Sequence, residues 1–159
     1  MSFDTELKNA LKKGKIRKTM ADKVDIKLPR ILIHSLQWVS VGYSSALYFA
    51  GKRLGKEVLA KDIKGNNIKN LLKEIGGFFS KIGIGKMEIV EAGNNKSIVH
   101  LKECSTCYHM ESIGKTVCFF EAGLIAGILE GKLNKNVTVN ETVCGGLGDE
   151  IDEFTIKIG

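Results

Sequence analysis

Residues 104–144 read CSTCYHMESIGKTVCFFEAGLIAGILEGKLNKNVTVNETVC. All four cysteines of the chain fall inside this stretch: Cys104, Cys107, Cys118 and Cys144. It opens with a Cys-x-x-Cys knuckle at the end of a strand-like run. Thr116 can cap a helix over 117–131, with Phe120, Leu124, Ile128 and Leu129 as its core stripe. Gly123 and Gly127 lie one turn apart on a neighbouring face. Residues 136–143 then alternate as a strand, with Val137, Val139, Glu141 and Val143 on one face. Thiols crowded into one segment, with none elsewhere, point to one shared site.

Working outward, the glycine-rich loop GGLGDE leads into a last strand, Asp152 to Ile158. Asp152, Phe154, Ile156 and Ile158 share its apolar face. Upstream, Lys86–Ala92 and Lys96–Cys104 read as a hairpin joined by Gly93-Asn94-Asn95. Asn66 or Asn67 can cap a helix over 67–81, in which Gly76-Gly77 invites a kink. Residues 30–60 follow the helical period, with an interruption around Val39–Gly42. There Gly51 and Gly55 repeat the small-residue spacing of Gly123 and Gly127, as expected of two helices built to pack closely. Pro29 marks a boundary and suits a first helical turn. Residues 4–21 read as a short helix with Leu7, Ala10 and Leu11 on one side. The expected fold is α+β: an antiparallel sheet with helices packed on one face. Residues 1–28 form a basic arm or helix, and 29–159 a single domain.

The chain has 159 residues, 43% of them hydrophobic, which suits one globular domain with a core of its own. No apolar run is long enough for a membrane span, and the N-terminus lacks the apolar centre of a secretory signal. A cytoplasmic setting is expected, in which a Cys-x-x-Cys points to metal or redox chemistry before disulfides. The net charge of +6 is uneven: residues 1–30 carry nine Lys/Arg against four Asp/Glu. That arm suits a nucleic acid, an anionic surface or simple solvation. Abundant lysine with a single glutamine, Gln37, fits a heat-adapted or AT-rich source.

Four thiolates suit zinc, and a Cys-x-x-Cys corner supplies two positions of a tetrahedron. Cys118 begins a helix, where the macrodipole favours a thiolate. The competing readings are plain core packing and a redox pair at Cys104 and Cys107. Glu141 and Asp152 fall on apolar strand faces, where a carboxylate is costly unless paired or bound to metal. Both are alternate ligands. His109 follows Cys107 closely enough to replace a thiol, whereas His34 and His100 read as core residues. Gly145, Gly146 and Gly148 precede a strand and lack the lysine of a phosphate loop. No complete catalytic constellation is present.

Cys118-Phe-Phe-Glu-Ala-Gly-Leu-Ile-Ala-Gly127, then Val137-x-Val139-x-Glu141-x-x-Cys144 and Gly148-Asp149, resembles the C-terminal half of the 4-vinyl-reductase-type domain family. Members of that family occur alone in archaea and as sensory domains of phenol- and xylene-responsive regulators. In fold the family is related to the TRAPP subunits of Golgi transport and to haem-based nitric oxide-binding domains. The resemblance implies a dimeric, small-molecule-binding α+β domain with zinc beside the pocket. In the phenol sensors the ligands are a cysteine before the last helix, a glutamate, a cysteine three residues on, and a cysteine in the next strand. The first three match Cys118, Glu141 and Cys144. The fourth falls at Asp152, where this sequence departs, and Cys104 and Cys107 offer replacement thiols. The ligand set stays open between four cysteines and cysteines with carboxylates.

The first functional expectation is therefore a sensory domain for a small hydrophobic molecule, with structural zinc, working as a homodimer or through a separate effector protein. Its pocket is expected between the sheet and the helices, lined by Trp38, Tyr43, Phe78, Phe79 and Phe120. The alternatives are an enzyme acting on a tetrapyrrole or other hydrophobic substrate, and an assembly protein resembling TRAPP subunits.

Overall fold

Hydrophobic periodicity switches from the helical to the strand period after residue 85, back before 119, and again at 137. The secondary structure follows each switch. A computed structural model describes Arg17, Thr19 and residues 23–159, so the helix expected over 4–21 lies outside the described residues except for Arg17 and Thr19. The helices are α1 (Lys27–Ser35), α2 (Tyr43–Glu57), α3 (Ile68–Ile82) and α4 (Phe119–Leu133). The strands are β1 (Lys86–Ala92), β2 (Lys96–Lys102), β3 (Val137–Val143) and β4 (Ile151–Ile158). Among the described residues, no helix is long and apolar enough to cross a membrane.

Local chemistry accounts for most boundaries. Pro29 sits in the first turn of α1, where its missing N–H costs no helical bond. The helix expected over 30–60 is divided by a 3-10 turn at Leu36–Trp38 and by Gly42. The Asn67 side chain caps α3 by accepting from the Asn70 N–H at 2.9 Å. Gly83, at φ 81°, closes that helix in the left-handed conformation that glycine adopts without strain. Gly76 and Gly77 do not break α3, which runs through them and packs Gly76 against Met87.

The sheet is fully antiparallel in the order β1-β2-β4-β3. Register places Met87, Leu101, Asp152 and Ile89, Val99, Phe154, Glu141 in successive rows across one face. That face is covered by α3 and α4, and the other carries the half-buried His100–Glu153 pair. The expectation of helices on a single face holds.

Helix α4 is the centre of the molecule. The expected stripe of Phe120, Leu124, Ile128 and Leu129 is too narrow: every residue from Glu121 to Glu130 is buried. The cause is that α4 is sandwiched, with the sheet on one side and α2 on the other. Burying side chains such as Ile125 and Leu129 contributes about 1.5–3 kcal/mol each. The contact with α2 is backbone on backbone. A Cβ on Gly51 would strike the Phe120 carbonyl, and one on Gly127 would strike the Lys52 carbonyl.

Helices α2 and α4 together cover the outer edge of β3. The Val137 N–H donates to Glu130 Oε1 at 3.1 Å, and the Val139 N–H donates to the Tyr48 hydroxyl at 3.3 Å. Lys52 Nζ donates to the Val137 carbonyl at 3.0 Å and pairs with Glu130 at 2.7 Å. An edge strand closed in this way offers little to other chains. Glu130→Ala removes the acceptor of the Val137 N–H and the counter-ion of Lys52, which keeps only the Val137 carbonyl. It should lower unfolding free energy by about 2–3 kcal/mol in urea denaturation, well beyond an ordinary surface substitution.

Candidate metal centre

Three segments converge at the Asp152 end of the sheet. The knuckle leaves β2 through Glu103, whose φ of 53° turns the chain, and closes when Tyr108 N–H donates to the Cys104 carbonyl at 2.9 Å. Cys118 is the N-cap of α4, not Thr116 as the sequence suggests. Its backbone N–H is held by Glu141 Oε2 at 2.9 Å, so a strand carboxylate does the work expected of the threonine hydroxyl. Cys144 caps the short turn Gly145–Leu147 and accepts the Gly146 N–H at its sulfur, 3.3 Å away. Gly145 presses this turn against the knuckle, because a Cβ there would meet the Cys107 carbonyl.

The four cysteines are all buried and all free thiols. Cys104 Sγ lies 3.5 Å from Cys118 Sγ. The Cys107 thiol donates to Asp152 Oδ1 at 2.9 Å, and Cys118 Sγ lies 3.5 Å from Asp152 Oδ2. Among the described residues, two groups have ligand atoms all within 4.8 Å of one another: Cys104, Cys107, Cys118 and Asp152, and Cys118, Glu141, Cys144 and Asp152. Cys118 and Asp152 belong to both. Cys104 and Cys144 fall in different groups, so the four thiols do not form one quartet by themselves. Asp152, on paper an alternate, sits at the middle.

Sequence reasoning missed Glu121. It lies in the first turn of α4, 3% exposed, with Oε1 accepting from the Thr106 hydroxyl and 3.9 Å from Cys104 Sγ. The available signal was an acid in the first turn of a largely apolar helix, three residues after Cys118. The Oε2 of Glu121 and the Oε1 of Glu141 are buried without any hydrogen-bond partner. His109 stays out of the cluster, its ring tilted at 49° against Tyr108 with centroids 4.0 Å apart.

This many acidic groups cannot all ionise in a buried space. Burial, reinforced by the Cys104 thiolate, pushes Asp152 up to about 8 and Glu121 up to about 8. Burial and the hydrogen bond with Cys144 push Glu141 up to about 10. Hydrogen bonds from Cys107 and Cys118 hold Cys144 down at about 2, while burial drives Cys118 up. Two buried carboxylate oxygens, Glu121 Oε2 and Glu141 Oε1, are left without a hydrogen-bond partner. A divalent cation is the group that satisfies such a set, and thiolates with carboxylate suit zinc. The residues present therefore fit the metal that the resemblance implies.

Beside this cluster lies a cavity of about 420 Å³, between the start of α2, the start of α4 and the edge of β3. Tyr48, Phe49, Phe119 and Val139 give it apolar walls, and Ser45 and Thr116 add hydroxyls. Glu141 is part of its wall and also of one of the two groups that could hold a metal ion. The aromatic residues expected to form a pocket are dispersed instead. Trp38 is 83% exposed and Phe79 is fully buried in the core. Phe120 packs against that core, Phe78 lines a separate surface groove, and Tyr43 meets Phe119 edge-on at 6.1 Å. The expectation failed because helical spacing reports which face is apolar, not where two apolar faces leave a gap.

The family model of the 4-vinyl-reductase domain matches residues 98–158, the segment holding the knuckle, α4, β3 and β4. An uncharacterized protein, MJ0150, of Methanocaldococcus jannaschii is 33% identical over 98% of this chain and 95% of its own length. A crystal structure of a vinyl-4-reductase family protein from the same organism superposes with a TM-score of 0.63 at 24% identity, covering 88% of this chain and 85% of that one. The phenol-responsive sensory domain of the transcription activator PoxR, crystallised with phenol, gives a TM-score of 0.71 at 14% identity over 85% of this chain and 75% of that one.

Proposed function

This chain belongs to the 4-vinyl-reductase domain family, and from that footing we propose that it is a small-molecule-binding sensory domain whose ligand cavity abuts a structural zinc centre. The observation that carries this reading is the position of Glu141, in the cavity wall and within the ligating set at once. Zinc would be held by Cys118 and Asp152, completed by Cys104 and Cys107 or by Glu141 and Cys144. Its chemistry there is structural, tying the knuckle, α4 and the β3–β4 turn together. The ligand is a small apolar molecule with a hydroxyl: the aromatic walls supply burial, and the cavity hydroxyls and Glu141 supply its polar partners. A ligand in the cavity and an ion in the cluster both act on Glu141, so each alters the affinity of the other.

Calorimetric titration with phenol as the probe tests this. Ser45→Trp, which fills the cavity from an exposed position, should weaken binding at least about tenfold without loss of metal. Metal-stripped protein should bind phenol about fivefold or more differently from the zinc-loaded form. If phenol and its alkylated relatives bind neither form, the ligand class is wrong. Equal affinity in both forms would remove the coupling.

A further inference from the structure

Helix α1 meets the cysteine knuckle with its polar side. Arg30 Nε donates to the Ser105 carbonyl at 2.7 Å, while Arg30 Nη2 donates to the Tyr108 carbonyl at 2.8 Å and lies 3.4 Å from the Cys104 carbonyl. His34 Nε2 lies 3.3 Å from the Thr106 carbonyl. The outward side of the helix carries Leu28, Ile31 and Leu32, all exposed. A single guanidinium thus gathers carbonyls from both ends of the turn Cys104 to Tyr108. The same turn sends Cys104 Sγ to within 3.5 Å of Cys118 Sγ and the Cys107 thiol to Asp152. Backbone held from one side, with thiols delivered to the other, keeps a ligand loop in shape for an ion.

We propose that Arg30 is a positioning residue of the metal centre: it holds Cys104 and Cys107 in place for the ion and couples metal occupancy to the docking of α1. This role rests on the zinc reading of the cluster. A planar fork that spans the knuckle fixes its curvature, and with it the separation of the two sulfurs, as a single point charge cannot. Charge acts in the same sense. Three thiolates and a carboxylate outweigh a divalent ion, so a loaded knuckle group is anionic, and a guanidinium on its backbone favours that state. The hydrogen bonds of Arg30 end on the knuckle. Arg30 therefore favours the group containing Cys104 and Cys107 over the one completed by Glu141 and Cys144.

The test is zinc affinity by chelator competition and cobalt(II) binding by absorbance, for the unaltered chain, Arg30→Lys, Arg30→Ala and Ile31→Glu. Arg30→Ala should weaken zinc binding about ten- to a hundredfold, the usual loss when a group that orients a ligand is removed. Its cobalt complex should also lose sulfur-to-metal charge-transfer intensity, because a loosened knuckle gives up thiolates. A residue that merely anchored the helix would leave that band intact. Arg30→Lys keeps the charge without the fork and should fall between. Ile31→Glu alters an exposed position on the same helix and should bind zinc as the unaltered chain does. Coupling is reciprocal, so stripping the metal from the unaltered chain should speed amide hydrogen exchange over Lys27–Ser35. Equal zinc affinity or an equal cobalt band in Arg30→Ala would overturn the inference and leave the metal centre standing. Equal weakening in Ile31→Glu, or exchange in α1 unmoved by stripping, would do the same. An unaltered chain that takes up no zinc overturns both.

Discussion

Gly127→Ala should destabilise the protein by about 3 kcal/mol or more, the upper end of the cost of overpacking. In a domain of this size that corresponds to a fall in Tm of roughly 6–12 °C. The added Cβ would meet the Lys52 backbone carbonyl, and Gly51 and Gly55 close the same contact from the α2 side. No rotamer change relieves a clash between two main chains, so the helices must separate. Separation would also open the buried Lys52–Glu130 pair and the covered edge of β3. Gly77→Ala is the control, since an added Cβ on that exposed face of α3 meets nothing. It should be neutral or stabilising by up to about 1 kcal/mol. Thermal unfolding of the two variants reads both, and equal stability would show that α2 and α4 do not interlock.

Metal removal is the second large effect. A chelated sample should lose about 4 kcal/mol relative to protein held at a thousandfold excess of zinc over its dissociation constant. The pH dependence should also reverse. With zinc bound, acid protonates the thiolates and expels the ion, so stability falls as pH falls. Without it, Asp152 and Glu121 keep their protons in the fold up to about 8, and Glu141 up to about 10. A carboxyl with a raised folded pKa contributes stability that is complete below its unfolded value, about 4. That contribution is lost as pH rises through the folded value. The depressed Cys144 thiol, near 2 in the fold, opposes part of this slope, so metal-free protein should weaken from about pH 4 towards pH 8, where Asp152 and Glu121 ionise, opposite to the loaded form. Urea denaturation across that range, with and without chelator, checks both slopes.

The sheet and its partners were legible because alternation in 137–143 and 152–158, and the hairpin around Gly93–Asn95, are local signals. So was the close packing of two helices, since glycines one turn apart have few other uses in an apolar helix. The convergence of Cys104, Cys107, Cys118 and Cys144 could be expected from their crowding alone. What could not be read was tertiary. The central position of Asp152 depends on the register Leu101↔Asp152 and on a turn that returns Cys144 to the knuckle. Glu141 as the cap of α4 depends on β3 passing beside Cys118. The cavity is a gap between three elements, and no single element's periodicity encodes it. The inward polar face of α1 was equally hidden, because Arg30 meets carbonyls more than seventy residues away in sequence.

The central claim is that the buried thiols and carboxylates form one zinc centre anchored by Cys118 and Asp152. Elemental analysis of anaerobically purified protein, beside Cys118→Ser, Cys107→Ser and Cys144→Ser, tests it most directly. The account predicts one zinc per chain, lost in Cys118→Ser. Whichever of the other two variants also loses it identifies the group that completes the site. Absence of metal from the unaltered protein, or full zinc in Cys118→Ser, would contradict the claim and leave the cluster as a proton-sharing core.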